Sequence, residues 1–99
     1  MDKRAGDGYH PMKIRAKAPD WFPYPGVEMD LEIERQDGMC FASTEGLRVM
    51  AFATSMEDAI NGAWSHLKRS VRDFVECDES ELSEGGLRYR NDLKKLLGM

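Results

Sequence analysis

From Val27 to Glu34 the chain alternates without a break: Val27, Met29, Leu31 and Ile33 are apolar, and Glu28, Asp30, Glu32 and Glu34 are acidic. Successive side chains of a strand point to opposite faces. This period of two therefore makes a strand with one buried face and one face of four carboxylates. The apolar face needs a covering layer. The carboxylates repel one another unless bases lie opposite them, and Lys13, Arg15 and Lys17, alternating with Ile14, Ala16 and Ala18, are the obvious source. Opposite charges facing each other across neighbouring strands contribute roughly 0.2–1 kcal/mol per pair, which predicts that residues 13–18 and 27–34 form adjacent strands.

More strand follows. Asp37-Gly38 after Gln36 is a strong two-residue hairpin signal, with Met39 to Ser43 as the return strand. Glu45-Gly46 turns the chain again. Leu47 to Ala53 is apolar with little alternation, which predicts a third core strand, buried on both faces at a central position.

The covering layer is a helix from about Met56 to Glu76. Thr54-Ser55-Met56-Glu57 reads as a capping box with Thr54 as the N-cap, and Glu57 and Asp58 suit the positive end of the helix dipole. Ile60, Ala63, Trp64, Leu67, Val71, Phe74 and Val75 recur at spacings of three and four, while Asn61, Ser65, Lys68, Arg69 and Arg72 occupy the other side. Gly62 costs about 1 kcal/mol against alanine in a helix interior, so its presence predicts close packing there.

The remaining segments lack such periodicity. Residues 1–11 are polar and Gly-rich and read as a flexible lead-in, with Met12 offering an alternative start. Ala18 to Gly26 holds three prolines and three aromatics, a stiff loop that displays Trp21, Phe22 and Tyr24. Asp78 to Gly86 is an acidic linker, and Leu87 to Leu97 carries a weaker helical stripe through Tyr89, Leu93, Leu96 and Leu97. The expected fold class is α+β: a small antiparallel sheet of three to four strands on one long amphipathic helix, plus a short C-terminal helix. The expected organisation is a lead-in over 1–11, a core domain over 12–78, and an acidic linker with its short helix over 79–99.

Charge narrows the function classes. The net charge is −4, against the basic footprint of a general nucleic-acid or anionic-membrane binder. The charge is uneven: residues 1–17 hold five bases against two acids, and residues 20–45 hold seven acids against one arginine. No apolar run approaches the roughly 20 residues of a membrane span. Cys40 and Cys77 are too few and too isolated for a disulfide framework or a metal site, which points to reduced thiols in a cytoplasmic protein.

Few residues suggest chemistry. His10 and His66 have no nucleophile or carboxylate placed beside them as a catalytic pair, and neither cysteine has a setting that would lower its pKa. Neither an enzyme, a cofactor nor a metal site is expected. The row Glu28, Asp30, Glu32 and Glu34 suits a salt-bridged sheet face, a partner contact or an imitation of a nucleic-acid backbone. Trp21, Phe22 and Tyr24 form a rigid aromatic surface that either anchors a partner or folds back onto the sheet. The C-terminal helix either packs its apolar stripe or offers its bases to an acidic partner.

The order strand, Asp-Gly turn, strand, strand, capped helix resembles the HicB-like antitoxins over about residues 27–70. It does so in Ile33-Glu34, in Asp37 to Ala42, in Leu47 to Ala53, and in Thr54-Ser55-Met56-Glu57-Asp58-Ala59, which looks like that family's Thr-x-x-Glu-Glu-Ala. The resemblance implies a truncated RNase H-like fold and an inhibitor that covers a small RNase-like toxin and dimerises. It implies no nuclease activity, because no set of acidic residues matches that active site. The expected function is a small non-enzymatic binding protein that neutralises or regulates a basic protein partner. The alternative is a phage- or mobile-element-encoded, anti-CRISPR-like inhibitor acting as an acidic nucleic-acid mimic. Direct nucleic-acid binding and membrane association are not expected, and a homodimer is an open option.

Overall fold

The computed structural model describes residues 11–44 and 46–99; residues 1–10 of the lead-in, with His10, and Glu45 lie outside them. Four strands form one antiparallel sheet in the order β1-β2-β3-β4: β1 Met12–Lys17, β2 Glu28–Gln36, β3 Met39–Ser43 and β4 Met50–Ala53. Helix α1 (Met56–Phe74) covers one face, a single 3-10 turn spans Glu79–Glu81, and helix α2 (Glu84–Leu97) closes the chain. This is the α+β architecture expected from the sequence, with the strand count at the upper end.

The β1–β2 pairing arises as the charge pattern requires. Lys13, Arg15 and Lys17 stand directly opposite Glu32, Asp30 and Glu28. Between β2 and β3, Asp37 and Gly38 both take positive φ (54° and 78°). That is the type I′ geometry whose twist suits a two-residue hairpin, and it brings Gln36 opposite Met39.

Met29, Leu31 and Ile33 of β2 and Cys40 and Ala42 of β3 turn inward onto Ala59, Ala63, Trp64, Leu67 and Val71 of α1. The helix begins one residue later than its capping box suggested. Ser55, not Thr54, is the N-cap, and its hydroxyl accepts from the Asp58 N–H at 3.1 Å. Gly62 meets the predicted close approach: a Cβ built there would lie 2.9 Å from Ala51 Cβ on β4. Trp64 is buried, and its Nε1 finds no acceptor among the described residues.

Three expectations are corrected. The last strand is shorter than Leu47 to Ala53 and is an edge strand, not a central one. Gly46 and Arg48 take positive φ before it, 88° and 56°, so the chain is still turning there. Phe22 is not displayed but buried, its ring edge-on to Trp64 with centroids 4.9 Å apart. The acidic linker is shorter than expected, because Ser83 caps α2 through the Gly86 N–H at 3.1 Å and takes Gly85-Gly86 into the first helical turn.

Helix α2 packs, as its stripe allows. Leu93 is fully buried in the common core. The Tyr89 ring stands edge-on to Phe74 at 4.9 Å, and its hydroxyl donates to the Leu47 carbonyl at 2.6 Å. The C-terminal helix thus shares the core of residues 12–78. Cys40 is buried, Cys77 is half-buried, and both are free thiols.

Candidate functional site

One sheet face is taken by α1, which leaves the opposite face, where the acidic row of β2 lies. Register places its side chains in cross-strand rows. On the β1–β2 side the rows are Lys17 with Glu28, Arg15 with Asp30, and Lys13 with Glu32. On the β3–β4 side Glu32 meets Ser43 and then Met50, while Glu34 meets Phe41 and then Phe52.

The charged side is ordered by one arginine. Arg15 Nε donates to Asp30 Oδ1 at 2.9 Å and Nη2 to Oδ2 at 3.4 Å, with Glu28 Oε1 3.5 Å from Nη1. That hydrogen bond and the guanidinium charge hold the Asp30 carboxyl below its ordinary range and push Arg15 upward. The pairs are exposed, so they fix register more than they add stability. Glu34 lies past the last base of β1 and faces Phe41 instead.

The other side is apolar and open. Met50 is 60% exposed and Phe52 65%, with the Phe41 and Phe52 rings 5.9 Å apart as a cross-strand pair. The hydrogen bond from Thr44 N–H to the Val49 carbonyl, 3.0 Å, sets the antiparallel alternation so that Met50 and Phe52 turn their backbone groups to the free edge. His66 of α1 caps one of these positions, with Nδ1 3.1 Å from Met50 N and 3.0 Å from Met50 O. The edge is therefore partly closed by a side chain, whereas the apolar face beside it is uncovered.

The seven residues singled out from the sequence divide. Glu28, Asp30, Glu32 and Glu34 share the outer face, Glu32 half-buried and the rest exposed. The aromatic loop lies elsewhere. Phe22 is core, Tyr24 is half-buried and donates to Glu76 Oε2 at 2.9 Å, and Trp21 sits beside Lys68 of α1. The hydrogen bond to the Glu76 carboxylate raises the Tyr24 phenol above its ordinary range. The acidic row and the aromatic loop thus form no single surface. Sequence reading missed Met50 and Phe52, although their two-residue spacing in Met50-Ala51-Phe52-Ala53 places them on one side of a strand.

His66 also lines a cleft of about 610 Å³ between α1 and α2, with Ser70, Tyr89 and Asp92 among its walls. Among the described residues no hydrogen bond links His66 to Ser70 or Asp92, and its Nδ1 is engaged by Met50. A nucleophile–base pair needs such a link. Among the described residues no three His, Cys, Asp or Glu side chains are grouped as a metal ion would require. Among the described residues no helix is long and apolar enough to cross a membrane.

The fold and this face define an α+β domain with an open, half-charged and half-apolar sheet. Compared with family models, with curated proteins and with solved structures, the chain finds no match in any of the three. The functional reading therefore rests on these residues.

Proposed function

We propose that this protein is a small binding module that neutralises or regulates a protein partner, seated on the outer face of the sheet over Phe41, Met50 and Phe52. The observation that carries this reading is the exposure of two large neighbouring apolar side chains, Met50 at 60% and Phe52 at 65%, on a regular sheet face. Scattered apolar residues on a surface are ordinary, but a contiguous group rimmed by polar residues marks an interaction site. Glu34 and Glu32 border the group, which favours a partner with an apolar centre and a basic rim. The resemblance to HicB-like antitoxins supports the same reading, with a small basic toxin as the partner. The acidic-mimic alternative has less behind it, because bases stand opposite three of the four carboxylates.

Affinity capture from the native host with the wild-type chain, Phe52→Ser and Glu34→Lys tests the proposal. Phe52→Ser should lose the partner and Glu34→Lys should weaken it, while Trp21→Ala retains it. Equal capture by wild type and Phe52→Ser would remove the outer face from consideration. Light scattering on the same proteins separates a partner seat from a contact between two copies, since only the latter makes wild type dimeric and Phe52→Ser monomeric.

A further inference from the structure

The solvent side of α1 carries three bases close together near its C-terminal end. Lys68, Arg69 and Arg72 are all exposed on it, and the rise from Lys68 to Arg72 is about 6 Å. The β1–β2 loop sets Trp21 and Pro23 alongside. Loop and helix enclose a groove of about 630 Å³ lined by these five residues with Ser65 and Glu76. Trp21 is 45% exposed, although its neighbour Phe22 is buried. Lys68 Nζ stands 5.9 Å from the centre of the Trp21 ring. Pro19, Pro23 and Pro25 stiffen the loop, so the ring is held out at small entropic cost.

We propose that this groove binds a single-stranded nucleic-acid segment, one base stacking on Trp21 and the phosphates lying along Lys68, Arg69 and Arg72. A stacking platform beside a short cationic track is how single strands are held without sequence readout. An acidic peptide would use the cations but offer nothing to the ring. A duplex would hide its base faces from it. One carboxylate lines the groove, Glu76, which is engaged by Tyr24 at 2.9 Å, and Asp73 beside it pairs with Arg72 at 3.4 Å. The second pair is exposed and readily exchanged for a phosphate. The phosphate contacts to Lys68, Arg69 and Arg72 make binding salt-sensitive. The site lies on α1, away from the outer sheet face, so it stands or falls independently of the protein-partner reading.

Fluorescence anisotropy of labelled oligothymidylate and oligouridylate, titrated with the full chain, tests the proposal. Three phosphate contacts on a single strand predict a slope of log affinity against log salt of about −2, a loss of roughly 16-fold between roughly 50 and 200 mM salt. Trp21→Ala should weaken binding about tenfold or more, and Trp21→Phe should keep most of it. Lys68→Gln and Arg72→Gln should each reduce the slope by about 0.7, and Phe52→Ser should change nothing. Circular dichroism confirms that each variant is folded, as these exposed positions allow. No binding at low salt, equal binding by Trp21→Ala, equal affinity for a duplex of the same length, or equal competition by polyglutamate would each overturn the proposal.

Discussion

The outer face of the sheet joins two surfaces that differ in how their exposure is handled. On the β1–β2 side every exposed base has a carboxylate opposite, and Arg15 binds two of them at 2.9 and 3.5 Å. On the β3–β4 side the Phe41 and Phe52 rings stand 5.9 Å apart, with Glu34 opposite Phe41, and Met50 stands across from Ser43. On the first side Arg15 already holds Glu28 and Asp30, so a partner that docked there would have to break those ion pairs. The second leaves apolar area in water, and covering it would gain roughly 25 cal/mol per Å². The binding reading belongs to the second side, and the first supplies register and a polar border.

The comparison can be broken most strongly through the support beneath the apolar half. Gly62 lets α1 approach β4 until a Cβ would lie 2.9 Å from Ala51 Cβ. Gly62→Ala gains about 1 kcal/mol of helix propensity. It also forces a methyl against a side chain that has no rotamer to move to, and overpacking of this kind costs about 1–3 kcal/mol. Net destabilisation of about 1 kcal/mol is expected from urea unfolding, together with a change in the environment of Phe52 by NMR. A variant more stable than wild type would mean that β4 does not lie so close to the helix.

A smaller effect is expected on the face itself. The Phe41–Phe52 pair should show a coupling of about 0.5–1 kcal/mol in a double-mutant cycle to alanine. Each single substitution should cost well below the 3–5 kcal/mol typical of a buried phenylalanine, since Phe52 is 65% exposed. A core-sized loss at Phe52 would show that something covers this face, a second copy of the chain being the first suspect.

The two halves were not equally legible in the sequence. Charge alternation in residues 13–17 and 28–34 gave both strands and their pairing, because a mismatch of face or partner would leave carboxylates beside carboxylates. Asp37-Gly38 left little choice of turn. Leu47 to Ala53 misled because an apolar residue facing water has the same sequence signature as one facing core. Only the strand order decides which it is, and that order depends on long-range pairing. The aromatic loop failed for a related reason: Trp21, Phe22 and Tyr24 have no period, so nothing local says that Phe22 reaches Trp64 while Trp21 stays out. Lys68, Arg69 and Arg72 were legible as a solvent face, but the tryptophan beside them arrives from more than forty positions away. At Thr54-Ser55 two hydroxyl residues compete for one cap, and only helix geometry selects Ser55.

The smallest effect tests the charged half. The Asp30 carboxyl is held below its ordinary value of 3.8, chiefly by the hydrogen bond from Arg15 and then by its charge. A carboxyl depressed in the folded state binds its proton more weakly there than in the unfolded chain. The stability it contributes is therefore fully present above its unfolded value, and it is lost as pH falls through the lower folded value. Arg15→Ala should return the Asp30 titration, followed by NMR of its carboxyl carbon, to the ordinary range and flatten the acid limb of stability by that share. Asp78 is a control within the same molecule. Hydrogen bonds from the Ser80 N–H and hydroxyl, both 3.0 Å, hold its carboxyl down as well, and this should persist in Arg15→Ala. If Asp30 titrates alike with and without Arg15, the ion pair is not formed in solution. Glu28 and Asp30 would then be free to meet a basic partner, and the contact surface would extend across the whole outer face.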